Sequence, residues 1–240
     1  MSQHEIDFVK GWVRTSLIDF PGKIATVLYT EGCNLRCPIC HNPELITYPE
    51  RYESIALAEI IAYLKEREDL VDGIVISGGE PLLRPQTLDL LEEIRPLPIA
   101  IKLDTNGTFP ERLQEIISRK LVDMISMDVK GSKTLYPLVT GVDDFDISRI
   151  DQSLAILKQG QVDYEIRTTV IPQIIDLQAI DDIVSWIGTV ERYVLQQFRP
   201  IMTLDARYRS LEPLPDAELN EMAKLARQKI ANVSVRGLAA

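Results

Sequence analysis

The chain has 240 residues, of which 45% are hydrophobic and 26% are charged, a composition typical of a soluble globular protein with a well-buried core. Its formal net charge of −10 argues against a nucleic-acid-binding surface, because phosphate binding requires concentrated Lys and Arg. No apolar run approaches the roughly 18 residues needed to cross a bilayer, so we expect no membrane partner.

The N-terminal segment MSQHEIDFVKGW contains no apolar h-region and does not predict a signal peptide. The chain has an odd number of cysteines, three, and without a secretion signal this indicates a reducing compartment. We therefore expect a cytoplasmic protein.

Short β-rich runs alternate with longer amphipathic stretches, which predicts alternating strands and helices. The predicted strands are Ile24–Thr30, Gly73–Ser77, Ile99–Asp104, Met124–Asp128, Asp163–Thr169, Tyr193–Phe198 and a short last one, Val233–Arg236. The predicted helices are Ser54–Lys65, Gln86–Ile94, Pro110–Lys120, Ile147–Lys158, Leu177–Ile187 and Pro215–Ala231.

Alternating β and α units imply a parallel sheet with right-handed crossovers. The sequence therefore predicts an α/β fold, a partial (β/α)6 barrel of the TIM-like kind, with a flat doubly wound sheet as the alternative. We expect one domain over residues 1–240, with its core at about 11–200 and a helix and short strand within 201–240.

A polar cluster follows each of the first six predicted strands at its C-terminal end. In chain order the clusters are CNLRCPIC (33–40), SGGEP (77–81), DTNG (104–107), DVK (128–130), RTT (167–169) and FRP (198–200). Barrel enzymes built from βα units form their active sites at this end of the strands. We therefore expect the six clusters to meet on one rim.

All three cysteines, Cys33, Cys37 and Cys40, lie within eight residues. Three thiolates from one loop could hold a [4Fe–4S] cluster, which usually takes four cysteine ligands. With only three ligands, one iron of the cluster would stay open for chemistry. Zinc with His41 as fourth ligand is an alternative, although neighbouring side chains diverge and no second knuckle exists. A disulfide with one free thiol is a third possibility.

The SGGEP and DTNG clusters carry groups that suit a ligand site. Gly78 and Gly79 let the backbone approach a ligand closely, and Glu80 could hold an ammonium group; a plain turn is the alternative. Asp104 could bind a ribose hydroxyl or a cation. Thr105 and Asn106 offer further hydrogen bonds, and the pair Asn106–Gly107 is equally typical of a turn.

The next two clusters are charged. Asp128 and Lys130 are two residues apart and so share a face of their strand, either as an ion pair or with the lysine aimed at a ligand carboxylate. Arg167 could form a two-pronged contact to a carboxylate, or it could be an exposed strand residue.

The runs CNLRCPIC with HNPEL, GGEP and DTNG resemble the radical S-adenosylmethionine (SAM) superfamily. The stretch GWVRTSLIDFPGKIATVLYTEGCNLRCPICHNPEL (11–45) resembles the activating proteins of glycyl-radical enzymes, in particular those of anaerobic ribonucleoside-triphosphate reductase. The resemblance extends from Gly11 to about Pro200.

This resemblance implies that the three cysteines hold a [4Fe–4S] cluster whose open iron is chelated by S-adenosylmethionine. One-electron cleavage would give a 5′-deoxyadenosyl radical, which would take a hydrogen atom from a glycine of the partner enzyme. The implied partners are a glycyl-radical enzyme, expected to be the anaerobic reductase, and an electron donor such as flavodoxin or ferredoxin.

The resemblance also implies roles for individual residues. The implied cofactor-binding residues are Ile39, Gly78, Gly79, Glu80, Asp104, Thr105, Asn106, Asp128, Lys130, Arg167 and Arg199. Asp104, Thr105 and Asp128 would form a monovalent-cation site, and Asp19 would lie near the substrate glycine. Two positions depart from the family: Ile39 stands where most members have an aromatic residue, and Arg199 where some activases have histidine.

Two other functions compete with glycyl-radical activation. The first is a radical SAM enzyme acting on a small molecule, similar to 7-carboxy-7-deazaguanine synthase. The second is an iron–sulfur or zinc binding protein without turnover. The SLIDFPG run (16–22) and the small size of the chain favour the activases.

Overall fold

The computed structural model describes residues 6–238, and its strands form one eight-stranded sheet in the order β1 to β8. The strands are β1 Val9–Ser16, β2 Ala25–Thr30, β3 Gly73–Gly78, β4 Ala100–Thr105, β5 Met124–Asp128, β6 Asp163–Val170, β7 Tyr193–Gln197 and β8 Val233–Arg236. β1 is antiparallel to β2, and each later strand is parallel to its predecessor. β1 and β8 are the edges of the sheet, so the barrel is open between them.

Helices connect the parallel strands and cover the outer face of the sheet. They are α1 Pro43–Thr47, α2 Leu57–Glu66, α3 Thr87–Ile94, α4 Pro110–Ser118, α5 Tyr136–Thr140, α6 Ser148–Leu157, α7 Leu177–Ile187 and α8 Asp216–Ala226. None of these helices in the described part of the chain has the length and apolar character that a membrane span requires. The predicted α/β class and partial (β/α)6 barrel are confirmed by the six parallel strands β2 to β7 and their crossovers.

The strands separate two environments because successive side chains point to opposite faces. On β4, Ile101 and Leu103 are fully buried in the large apolar core between sheet and helices. A second, smaller apolar cluster (Phe20, Ala25, Val27, Val75 and Met124) fills the inner face near the N-terminal ends of the strands. Polar side chains therefore occupy the inner face towards the C-terminal ends.

A buried carboxylate fastens the last strand to the barrel. Glu165 on β6 is only 1% exposed, and its two oxygens accept hydrogen bonds from both terminal nitrogens of Arg236 on β8, at 2.7 and 2.6 Å. Ser126 on β5 donates a third, at 2.8 Å. Burial alone would raise the pKa of Glu165, but Arg236 and Ser126 lower it below its ordinary value. Glu165 thus ties β5, β6 and β8 together.

Most elements lie where the sequence predicts them, and three elements were not predicted. The predicted strand Val233–Arg236 is confirmed as β8. β1 was not predicted because its sequence, VKGWVRTS, contains a glycine and three consecutive exposed residues. These interrupt the alternation of apolar and polar residues by which a strand is recognised. α1 and α5 have five residues each, too few for a helical period to register. The single-domain organisation over 1–240 stays a prediction, and its two ends lie outside the described residues.

We expect the Arg236→Met variant to unfold more easily by about 2 kcal/mol near neutral pH, because it leaves the Glu165 carboxylate buried without its main partner. A carboxyl group with a lowered pKa stabilises the fold above its ordinary pKa, and that contribution is lost as the pH falls. The difference from wild type should therefore shrink towards about pH 4. Urea unfolding at several pH values measures both effects.

Arg192→Met is the matched control, because Arg192 makes a similar contact with Asp163 (2.5 Å) in which both side chains are about a third exposed or more. We expect it to cost less than about 1 kcal/mol. Equal losses in the two variants, or a loss independent of pH, would contradict the role assigned to Glu165.

Candidate active site

The C-terminal ends of the strands surround a cavity of about 260 Å³. Every predicted site residue except Asp19 and Arg199 lines it. The lining set comprises Cys33, Cys37, Ile39, Cys40, Gly78, Gly79, Glu80, Asp104, Thr105, Asn106, Asp128, Lys130 and Arg167. Five of the six polar clusters therefore meet around one cavity, whereas the FRP cluster (198–200) contributes no residue to it.

Backbone contacts anchor the cysteine loop at its start and at its middle. Gly32 N–H donates to the Leu45 carbonyl of α1 at 2.9 Å, and Arg36 N–H donates to the Thr140 carbonyl at the end of α5 at 2.8 Å. α5 ends at Gly141, whose φ is +66° and where a Cβ would lie 2.4 Å from the Arg36 carbonyl oxygen. A glycine is required there for the helix end to reach the loop.

The GGE turn (78–80) packs against the start of the same loop, backbone to backbone. Gly79 N–H donates to the Thr30 carbonyl at 2.9 Å, and Glu80 N–H donates to the Gly32 carbonyl at 2.8 Å. A Cβ on Gly79 would lie 1.8 Å from the Gly32 oxygen, which no side chain permits. Gly79 is therefore needed to dock this turn on the cysteine loop, whatever ligand it also faces.

Glu80 is 1% exposed, and its carboxylate accepts three hydrogen bonds. The donors are Leu82 N–H at 3.0 Å, the Thr105 hydroxyl at 2.7 Å and Asn106 N–H at 2.6 Å. Burial raises the pKa of Glu80 to about 7, although these hydrogen bonds act to lower it. Glu80 thus holds the DTNG loop in place and also borders the cavity, where a ligand ammonium would favour its charged form.

Asn106 links the DTNG loop to the first cysteine. Its side-chain nitrogen lies 3.8 Å from Cys33 Sγ and 3.0 Å from Asn34 Oδ1, while its Oδ1 accepts hydrogen bonds from the backbone and hydroxyl of Thr108. These contacts fix the amide orientation, so its N–H groups face the cysteine loop. Asn34 was not predicted as a site residue, because no spacing rule distinguishes it from an ordinary loop asparagine.

The inner face of the barrel carries a chain of opposite charges beneath the cavity. Arg167 Nε donates to Asp128 at 2.9 Å, and Arg167 Nη1 lies 3.4 Å from Asp104. Lys130 pairs with Asp128 at 3.2 Å, which is the ion pair that the sequence predicted as one of two alternatives. Burial opposes the charge on Asp128, but Arg167 and Lys130 lower its pKa to about 2. Lys102, which the sequence analysis missed, pairs with Asp104 at 2.5 Å.

The three thiols are free and half-buried. Burial raises the pKa of all three and brings that of Cys33 to about 11, whereas Lys130 acts to lower them. Cluster or metal binding would therefore have to displace their protons.

The structure gives no support to the zinc alternative. Within residues 6–238, no three Cys, His, Asp or Glu side chains converge closely enough to share one metal ion. His41, the proposed fourth zinc ligand, instead has its Nε2 3.1 Å from the Arg199 carbonyl oxygen. The three thiols line one cavity, as three ligands of one cluster would have to.

Asp19 and Arg199 lie outside the cavity. Asp19 is in the β1–β2 turn, at the end of the sheet opposite the cysteine loop, and accepts a hydrogen bond from Ser16 at 2.5 Å. Burial raises the pKa of Tyr29, and the charges of Asp19 and Asp104 raise it further. The Arg199 side chain is exposed. The roles assigned to both residues stay predictions.

Comparison with known proteins places this geometry in a family. The model of the radical SAM superfamily matches residues 27–187. A chain from Methanocaldococcus jannaschii, provisionally named a glycyl-radical enzyme activating enzyme, is 34% identical over 95% of this chain and 95% of its own length. A pyruvate formate-lyase-activating enzyme from Clostridium pasteurianum is 26% identical over 88% of this chain and 93% of its own.

Among solved structures, a radical SAM methyltransferase from Sphaerobacter thermophilus superposes with a TM-score of 0.72 over 90% of this chain and 67% of that one. Its sequence is 11% identical, so this likeness concerns the fold.

We expect the Glu80→Gln variant to change how stability depends on pH. A carboxyl group with a raised pKa favours the folded state below its ordinary pKa, and that contribution is lost as the pH rises through about 7. The unfolding free energy of wild type minus that of Glu80→Gln should therefore fall by up to about 3 kcal/mol between about pH 5 and pH 8.

Urea unfolding of both proteins across this range measures the difference. Glu59→Gln, at a largely exposed position on α2, serves as control and should run parallel to wild type. A difference between wild type and Glu80→Gln that does not vary with pH would show that Glu80 is already ionised in the folded protein.

Proposed function

Because the chain belongs to the radical SAM superfamily, we propose that it is an activating enzyme that generates a glycyl radical on a partner protein. The observation that carries the proposal is that three thiols, a buried carboxylate and a run of ion pairs meet around one cavity. Sequence identity of 34% over nearly the full length of the M. jannaschii chain supports the choice of activation over other radical reactions.

The residues of the cavity fit the cofactors that the family uses. Cys33, Cys37 and Cys40 would hold a [4Fe–4S] cluster, and the sequence has no fourth cysteine, so one iron is left for S-adenosylmethionine. When bound and reduced, the cluster and S-adenosylmethionine together supply a radical able to abstract a hydrogen atom. The protein itself binds, orients and excludes water.

The cavity offers complementary groups for an amino-acid ligand. Glu80 and the carbonyl groups of the GGE turn would hold the amino group of S-adenosylmethionine. Lys130 is paired with Asp128 but remains protonated, since Asp128 and the thiols raise its pKa even though burial lowers it. Lys130 and Arg167 would therefore attract the ligand carboxylate.

Aliphatic side chains also line the same cavity. Ile39 lies there with Val129, Val139 and Ile171. These aliphatic side chains would pack against the adenine ring in place of the aromatic residue that most of the family has at position 39. Asn106 would donate a hydrogen bond towards Cys33 and so stabilise its thiolate.

We further propose that the partner is anaerobic ribonucleoside-triphosphate reductase, because the GWVRTSLIDFPG run (11–22) resembles the activating proteins of that enzyme. Pyruvate formate-lyase is the competing partner, given the Clostridium relative. Flavodoxin or ferredoxin would supply the electron. A cytoplasmic location fits the odd cysteine count and an oxygen-sensitive cluster.

The first test is cofactor cleavage. We expect anaerobically reconstituted protein with about four irons per chain to form 5′-deoxyadenosine from S-adenosylmethionine and a strong reductant. Cys37→Ala should abolish the product, because two thiols do not hold the cluster. Ser54→Ala, an exposed change from one small side chain to another, should retain it. Liquid chromatography of the quenched reaction measures the product.

Loss of product in both variants would point to the preparation rather than to the thiol. One tightly bound zinc per chain with no product in wild type would contradict the radical chemistry.

The second test is the partner. We expect a glycyl-radical doublet in the electron paramagnetic resonance spectrum when the reduced enzyme and S-adenosylmethionine are mixed with anaerobic ribonucleoside-triphosphate reductase. A reductase variant with alanine at the radical glycine is the control. A signal with pyruvate formate-lyase alone would reassign the partner, and cleavage of S-adenosylmethionine without a signal on either protein would favour a small-molecule substrate.

A further inference from the structure

Lys102 is a buried ammonium group in the middle of the barrel. It is 0% exposed, and it lies on the inner face of β4, two residues before Asp104. Its Nζ is 2.5 Å from Asp104 Oδ1. A lysine is almost never fully buried unless a partner compensates its charge, so this pair must form as the barrel folds.

The two carboxylates of the expected cation site are already neutralised. Asp104 contacts Lys102 and Arg167, and Asp128 contacts Arg167 and Lys130. Two negative groups thus face three positive ones. Burial opposes the charge on Asp104, but Arg167 and Lys102 hold its pKa below the usual range, which is the behaviour of an ionised, paired carboxylate.

The third group of the expected cation site is also engaged. The Thr105 hydroxyl donates to Glu80 at 2.7 Å and accepts from Gly107 N–H at 3.1 Å. Asp104, Thr105 and Asp128 were expected to hold a monovalent cation, yet none of them lacks partners. A metal ion here would add a fourth positive charge beside two carboxylates in a buried place, which is unfavourable. A monovalent metal therefore does not fit.

We propose that Lys102 is the built-in cation of this site: its ammonium group takes the position beside Asp104 that a monovalent metal ion would need, and it holds Asp104 at the edge of the cavity. The protein would then require no added K⁺ or Na⁺. The inference deepens the proposed function, since the cavity is the proposed S-adenosylmethionine site, but the charge argument itself does not depend on that ligand.

The test compares salts rather than activities. Thermal unfolding of the full-length chain is followed in KCl, NaCl and choline chloride at equal ionic strength. We expect the wild-type midpoint to agree within about 1 °C across the three salts, because no specific cation binds. The dissociation constant of S-adenosylmethionine for the reconstituted protein, measured by equilibrium dialysis, should agree within about twofold.

Two variants then remove the ammonium group beside Asp104, one leaving space and one filling it. Lys102→Ala removes the charge and leaves room, so its midpoint should fall by about 10 °C in choline chloride and should recover in part in KCl or NaCl. Lys102→Met removes the charge but fills the space, so it should not recover. Lys133→Ala is the control, since Lys133 pairs with Asp151 at 2.7 Å with both side chains exposed; we expect little loss and no salt-specific recovery.

A saturable stabilisation of the wild type by K⁺ or Na⁺ over choline would overturn the inference, because a metal would then bind in the presence of Lys102. This measurement needs no variant and therefore decides the matter even where a substitution prevents folding. A Lys102→Ala midpoint that is equally low in all three salts would also overturn it. Failure to bind S-adenosylmethionine in every salt would instead contradict the proposed function, and the unfolding data would still decide the role of Lys102.

Discussion

The close packing of the GGE turn on the start of the cysteine loop is the constraint on which the site depends. Gly79 has no room for a Cβ against Gly32, and the contact sets where Glu80 enters the interior. Glu80 then holds the DTNG loop by accepting hydrogen bonds from Thr105 and Asn106. The Asn106 side chain in turn contacts Cys33. One backbone contact thereby fixes the relative positions of three strand ends, before any cofactor is considered.

Charge balance inside the barrel is the second determinant. The apolar cluster around Phe20 fills only one end of the inner face. The remaining inner positions carry carboxylates matched by Arg and Lys: Arg167 serves both Asp104 and Asp128, and Arg236 serves Glu165. Buried charges persist only when so paired, which makes the interior preorganised for a polar ligand.

Much of this could be predicted from sequence, for a physical reason in each case. Strands β2 to β7 are short and apolar on their outer face, and their C-terminal ends are marked by polar clusters, so the rim of the cavity was predictable. The role of Lys102 was not predictable, because a lysine within a strand is expected to be exposed unless the neighbouring strands are known to bury it. The roles of Gly141 and Asn34 were not predicted either, since both depend on contacts with residues distant in sequence. Asp19 is the opposite case. Its SLIDFPG motif is evident in the sequence, but the turn that carries it lies at the end of the sheet far from the cysteine loop.

The attachment of the cysteine loop has a consequence for protein engineering. The loop is held by α1, by the GGE turn after β3 and by the end of α5, and these belong to three different βα units. Grafting the eight-residue CNLRCPIC segment onto another barrel would transfer the thiols without the surfaces that shape them. A transplant would have to carry Gly79 and Gly141 as well, in strands of matching register. The module that evolution can move is therefore the half-barrel from β2 to α5, and not the cysteine motif alone.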